Sequence, residues 1–374
     1  MKICVVGGGH IGTTLVCYIK HTYPNYQLSL LTRRPEKFFS TILCNDIEGG
    51  FSYEVTPDII SSNAKEAASG AEVIFIALPH FAVENAFRDI SPYVYDNAMI
   101  GVLPGGGGCE FFFDKYFDKN KTLFGFQRVP FTAKVQDYGK VTNLKSWKPY
   151  SVVGALNRNR IDDVCEVIEN CGLKTRKASN YLEIALTPTN PILHTSRTYE
   201  LFGKYERYHE FEKKQKFYVG WTDAASEILF AMDEELHSLL DSMDGIDTKA
   251  IKRLSEHYES PTISDLTTKI NGIPTFQSVY APMKELNGKY IADTESRMFT
   301  EDFPWGLLVI RSYFDLFGIV APTMDRLLKW YSNYMGLEWY KGDLLCGKDL
   351  YKTGAISNYG IKSRKALYSL YCGF

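Results

Sequence analysis

The chain has 374 residues, enough for two or three domains that each hold a core. Hydrophobic residues make up 45% and charged residues 23%, with a net charge of −2 and no long block of like charge, which argues against a general nucleic-acid footprint. The first apolar run is too short for a signal peptide, and no run of about eighteen apolar residues exists to span a membrane.

Residues 3–6, Ile-Cys-Val-Val, form a β-branched apolar run of the kind expected in a buried parallel strand. The run enters Gly7-Gly8-Gly9-His10-Ile11-Gly12, which fits G-x-G-x-x-G at Gly7, Gly9 and Gly12, and a helix is expected over 11–21. In a dinucleotide fold the first glycine permits the turn and the second lets a pyrophosphate approach the backbone. The third lets the helix lie close to the strand, and the helix start presents free amides, here from His10 and Ile11. A second strand over 27–31 ends where an NAD enzyme carries Asp or Glu for the ribose, and this chain has Thr32-Arg33-Arg34. A hydroxyl and two guanidiniums suit a 2′-phosphate, because a guanidinium matches phosphate with paired hydrogen bonds. The expectation is NADP(H) rather than NAD(H), the alternative being a solvated arginine pair ahead of a helix opening at Pro35.

A helix is then expected over 36–39, a third strand at 54–56 and a short helix over 63–68 ending at Gly70. Residues 71–78 read as the clearest buried strand, ending at Leu78 and Pro79, where ligands sit in a doubly wound sheet. An amphipathic helix follows over 81–90, then a strand over 99–103 that enters Pro104-Gly105-Gly106-Gly107-Gly108. That glycine cluster reads as a loop on the cofactor side, with a flexible turn as the alternative. Strands at 122–126, 150–155 and 173–176, with a helix at 161–170, continue the alternation that implies a mainly parallel sheet, and 139–148 is expected to add edge strands.

Near Ala178 the pattern turns helical. Over 223–243 one stripe carries Ala225, Ile228, Leu229, Met232, Leu236, Leu239, Leu240 and Met243, and a second, polar stripe carries Asp233, His237 and Asp241. A buried helix is expected over 306–317, ended by Gly318, and another begins at Pro322. The reading is an α/β Rossmann domain over 1–178, doubly wound with a mainly parallel sheet, followed by an all-α domain over 179–374. The eight cysteines include no C-x-x-C pair, which favours a reducing cytoplasm over zinc or a disulfide framework. Tyr, Phe and Trp number 25, 23 and 5, and many fall in the second half, as core or pocket wall.

In a two-domain dehydrogenase, polar residues early in the second domain are the candidates for chemistry. Thr187-Pro188-Thr189-Asn190-Pro191-Ile192-Leu193-His194 delivers Asn190 and His194 at a helix start. Histidine is the natural acid–base group near neutrality, although a lone one at a helix start more often caps it or faces solvent. The second cluster is Arg297-Met298-Phe299-Thr300-Glu301-Asp302-Phe303-Pro304-Trp305-Gly306. Arg297 suits a substrate carboxylate and Asp302 suits orienting a histidine, against the plainer reading of a surface ion pair and a helix-start acid. The segment 217–221 and the acids Asp233 and Glu234 read as core and solvated face slightly ahead of pocket wall.

Together the two clusters resemble the NAD(P)-dependent octopine/nopaline (opine) dehydrogenase family, through N-P-x-x-H at Asn190 to His194 and R-x-x-x-E-D-[IVF]-P-[YW]-G-L at Arg297 to Leu307. The resemblance implies that His194 and Asp302 form the acid–base pair and that Arg297 binds a keto-acid carboxylate, with Asn190 assisting. It implies reductive condensation of an amino acid with a 2-oxo acid such as pyruvate. It leaves a homodimer open and calls for no nucleic acid and no membrane. A ketopantoate-reductase-like carbonyl reductase is the alternative, weakened because no lysine lies between Leu182 and Gly203; a non-catalytic NADPH sensor is the third reading.

Overall fold

Strand β1 (Lys2–Val6) is buried along nearly its whole length because it pairs in parallel with a neighbour on each side. Those neighbours are β2 (Gln27–Leu31) and a later strand at 73–76. The computed structural model describes residues 1–187 and 190–372 and contains two compact units. The first is Met1–Ala185, which the chain re-enters at Tyr368, and the second is Leu186–Leu367.

In the first unit the remaining strands are β3 (Ile42–Asp46), β4 (Phe51–Val55), β5 (Ile59–Ser61), β6 (Val73–Ile76), β7 (Met99–Val102), β8 (Thr122–Phe126), β9 (Phe131–Asp137), β10 (Val141–Trp147), β11 (Ser151–Ala155) and β12 (Thr175–Lys177). Eight of them make one sheet in the order β12-β11-β8-β7-β6-β1-β2-β5. From β5 to β8 the pairs are all parallel and the order reverses beside β1, the doubly wound arrangement that puts ligands at the carboxyl ends of the central strands. The β8–β11 pair alone in this sheet is antiparallel.

The other four strands correct the sequence expectation. Residues 139–148 do not edge the parallel sheet; β10 joins a separate sheet ordered β4-β3-β10-β9. The strand expected at 54–56 is the end of β4 in that sheet, and the helix expected over 36–39 is a single 3-10 turn, Pro35–Lys37. Helix α1 (His10–Thr22) lies between the two sheets, which is why it is buried nearly all round rather than along one stripe. Leu15, Val16 and Ile19 join one core with Ile3 and Val5 from the large sheet and Ile42 and Leu144 from the small one. The Thr14 and Thr142 hydroxyls, 2.6 Å apart, tie α1 to β10.

Helices α2 (Ala64–Ala68), α3 (Val83–Ile90), α4 (Cys109–Phe113), α5 (Ile161–Glu169) and α6 (Tyr181–Leu186) complete this region. The glycines before α4 serve local packing. A Cβ on Gly105 would lie 2.5 Å from the Gly125 Cα, and one on Gly107 would lie 2.4 Å from the His80 ring. Inside α4 the Glu110 carboxylate is 1% exposed and accepts a 2.8 Å bond from the hydroxyl of Tyr371, near the end of the chain.

The second unit contains α7 (Asn190–Phe202), α8 (Asp223–Asp241), α9 (Leu254–His257), α10 (Ile263–Gly272), α11 (Arg297–Thr300), α12 (Leu308–Phe317) and α13 (Pro322–Met335), and α14 (Arg364–Cys372) runs from its end into the first unit. It also holds a hairpin, β13 (Met283–Leu286) with β14 (Lys289–Ala292), turned through Asn287 and Gly288 at positive φ. The apolar stripe of α8 is buried as expected, but the polar stripe is not solvated: Asp233 and His237 are buried as well, and Asp241 is exposed. Helix α12 starts at Leu308, preceded by a π-helical turn, Phe303–Leu307, and ends at Gly318 with φ 64°. Arg311, buried inside α12, is matched by Asp325 with bonds of 2.7 and 3.2 Å and by Asp315 at 2.7 Å. No helix among the described residues is long and apolar enough to cross a membrane.

Candidate active site

The glycine turn after β1 is shaped by close approaches. Gly7 has φ +117°, and a Cβ there would lie 2.5 Å from the Ala77 carbonyl oxygen and 3.0 Å from Leu78, at the carboxyl end of β6. A Cβ on Gly12 would fall 1.9 Å from the Gly7 oxygen, so only glycine lets α1 start this close to β1. Gly9, the residue that caps α1, has open space where a Cβ would stand, and no side chain caps the helix start. The first amides of α1, those of His10 and Ile11 included, thus border room for an anion, and the cradle fits a pyrophosphate. The His10 ring faces away into the small sheet, where Nδ1 accepts the Val135 N–H at 3.0 Å.

At the end of β2, Thr32 is buried, its hydroxyl 2.8 Å from where a Gly8 Cβ would lie. Arg33 and Arg34 are exposed, and the Arg34 guanidinium sits 4.9 Å from the centre of the Tyr138 ring. Pro79 follows Leu78 and precedes a 3-10 turn, His80–Ala82, so the helix expected from residue 81 is α3 from Val83.

In the second unit α7 opens at Asn190, which is exposed, and carries His194 one turn further on. Pro188 and Thr189 lie outside the described residues. Gly306 in the π-turn faces Pro191, and a Cβ there would meet the Pro191 ring at 2.9 Å. This close approach brings the start of α7 against the turn that holds Asp302. His194 Nδ1 lies 2.7 Å from Asp302 Oδ2, with both side chains about nine-tenths shielded from solvent. A carboxylate only accepts, so Nδ1 carries the proton and Nε2 is left as the basic nitrogen. The two residues stand 108 positions apart in sequence.

Arg297, on α11, is 70% exposed and its Nε and Nη2 both lie 2.5 Å from Glu301 Oε2. Its carbonyl accepts the Asp302 N–H at 3.2 Å, so its backbone is tied to the pair while its guanidinium turns to Glu301. One residue the sequence did not single out for chemistry is Tyr218, whose hydroxyl lies 2.8 Å from His194 Nε2. Burial pushes its phenol above the ordinary tyrosine value, so it stays protonated. In sequence Tyr218 is one aromatic in a run that forms core, with Phe217 and Trp221 buried beside it. No local signal distinguishes it.

A dinucleotide cradle joined in one chain to a helical unit bearing a His–Asp pair defines a nicotinamide-dependent oxidoreductase. The family model for "NAD/NADP octopine/nopaline dehydrogenase, alpha-helical domain" matches residues 177–335, and that for "Ketopantoate reductase PanE/ApbA" matches residues 3–154. The chain is 29% identical over 350 residues to an opine dehydrogenase of Haliotis discus hannai, covering 87% of this chain and 85% of that one. It is 24% identical to a tauropine dehydrogenase of Arabella iricolor, covering 96% and 98%. The fold superposes with a TM-score of 0.85 on octopine dehydrogenase solved with NADH and L-arginine, at 23% identity over 98% of this chain and 97% of that one. These matches support the octopine/nopaline (opine) dehydrogenase family and an oxidoreductase acting on CH–NH bonds.

Proposed function

We propose that this protein catalyses NADPH-dependent reductive condensation of an amino acid with a 2-oxo acid such as pyruvate. The observation that carries this reading is the 2.7 Å pairing of His194 with Asp302, which joins the two family-like segments at one acid–base group. The amine attacks the 2-oxo carbon, water leaves to give an imine, and reduction at carbon yields a secondary amine bearing two carboxylates. The nicotinamide, when bound, supplies the hydride.

The chain's own residues do the rest. His194 takes and returns the proton at Nε2, while Asp302 holds the ring in place. Arg297 exchanges its bond to Glu301 for the keto-acid carboxylate, which its planar fork matches with two parallel hydrogen bonds. Asn190, one turn before His194 on α7, positions substrate or ring. Gly7, Gly9, Gly12 and the amides of His10 and Ile11 hold the pyrophosphate, with Leu78 and Pro79 as the wall at the end of β6. Thr32, Arg33 and Arg34 favour the 2′-phosphate of NADP(H), since no carboxylate stands there to repel it.

The test is NADPH oxidation with pyruvate across the common amino acids, with an amine-free control. Turnover that needs both substrates is the expected result. Turnover with the keto acid alone would replace this reading with carbonyl reduction of the ketopantoate-reductase kind, and NADPH binding without turnover on any pair would point to a sensor.

A further inference from the structure

Both ring nitrogens of His194 are committed: Nδ1 to Asp302 at 2.7 Å and Nε2 to the Tyr218 hydroxyl at 2.8 Å. The nitrogen that must exchange a proton with substrate therefore faces a phenol. The phenol is held there by several independent contacts. Its ring stacks on Phe276 at 3.9 Å and 15°. Arg197, one turn beyond His194 on α7, is buried and donates from Nε to the Phe217 carbonyl at 2.8 Å, so the helix that carries the histidine also fixes the backbone that carries Tyr218. Past it, the Asn271 side-chain oxygen accepts the N–H groups of Gly220 and Trp221 at 2.7 and 3.2 Å. The Phe217 ring stands edge-on to the imidazole at 5.6 Å.

We propose that Tyr218 is a proton-relaying residue, and that His194 exchanges its proton with the substrate through the Tyr218 hydroxyl, so that Asp302, His194 and Tyr218 work as one chain. The step balances. In loss of water from the amine–keto acid adduct, the C–O bond breaks as the nitrogen lone pair forms the C=N bond. The departing oxygen takes the Tyr218 hydroxyl proton, and the Tyr218 oxygen takes the Nε2 proton of the His194 imidazolium. His194 ends neutral, Tyr218 ends protonated, and nothing is oxidised or reduced. The titratable groups bearing on Tyr218 are His194, Asp302 and Tyr258. A phenol shielded from water suits the task because it keeps its proton until an acceptor forms beside it.

This inference rests on the condensation reading, and its test separates the two. Tyr218→Phe in the full-length protein keeps the ring stack and removes only the hydroxyl. With amino acid and pyruvate, kcat is expected to fall roughly 100-fold, with both KM values and the melting temperature unchanged and with the pH–rate limb of the acid–base group flattened. The 15N resonance of His194 Nε2 is expected to move toward that of an unbonded ring nitrogen. A purely structural tyrosine would leave kcat and the pH profile as they were, and wild-type or higher kcat in Tyr218→Phe overturns the relay. Absence of wild-type turnover with paired substrates instead defeats the condensation reading. In that case the nitrogen resonance decides on its own, and an unmoved signal overturns the relay whatever the substrates are.

Discussion

The two units of this chain build their sites in opposite ways. In the first, the proposed cofactor cradle is local: a strand, a glycine turn and a helix start within twelve residues, with Thr32 and the arginine pair at the end of the adjacent strand. In the second, nothing local makes a site. His194 on α7, Asp302 at the start of the π-turn and Tyr218 in an aromatic segment meet because Gly306 admits Pro191 and Arg197 anchors Phe217. A local cradle is many weak contacts that fail piecemeal, whereas an assembled constellation fails as a unit.

Substitutions can break or sharpen that contrast. His194→Ala should give the largest effect, a loss of turnover of about 10²–10⁴-fold with NADPH affinity by fluorescence titration unchanged. Unchanged turnover would remove the acid–base role. Arg297→Lys should raise the keto-acid KM roughly tenfold or more, because lysine has no fork to offer. If KM stays put in steady-state kinetics, the carboxylate is held elsewhere. On the cradle side, changing Arg33 and Arg34 together to Ala should abolish the preference for NADPH over NADH while leaving kcat at saturating cofactor nearly intact. A surviving preference in paired Kd measurements would put the phosphate contact at other residues.

The smallest effect concerns stability. Asp233, inside α8, is pushed up to about 6, chiefly by burial, while the Leu254 N–H opposes the shift. His237 is 3.9 Å away, too far for a hydrogen bond, and burial moves it below its ordinary value. A carboxyl raised on folding destabilises the fold once it ionises, so the penalty is absent below about pH 4 and full above about pH 6. Asp233→Asn should therefore gain about 1–2 kcal/mol by denaturant unfolding at pH 8 and nothing at pH 4. An equal difference at both pH values would exclude titration of Asp233 as the cause.

What could be read from the sequence divides along the same line. The large parallel sheet was legible because β1, β6 and β7 are mostly apolar runs, and the glycine turn because its glycines sit in fixed order between strand and helix. The small sheet was not, because β3 pairs with β10 across an intervening stretch of Rossmann elements, and the strands read at 54–56 and 139–148 gave no sign of that pairing. In the second unit the motif segments marked His194, Asp302 and Arg297, but no pattern marks Tyr218. Its role comes from a contact made by folding. The polar stripe of α8 misled for a related reason: periodicity says which residues share a face, not whether a second helix or loop covers it.

The bond from Tyr371 to the buried Glu110 has a bearing on how the protein is made. The first unit is discontinuous, since the chain returns to it at Tyr368 after the second unit has been built. Domains tend to fold in the order in which they leave the ribosome, N-terminal first. Here residues 1–185 leave the ribosome first, and the Tyr371 hydroxyl that bonds one of their inner carboxylates follows only after the second unit. Expression of residues 1–185 alone would yield a fragment without the Tyr371 bond, and a truncation before Tyr368 would act on the first unit.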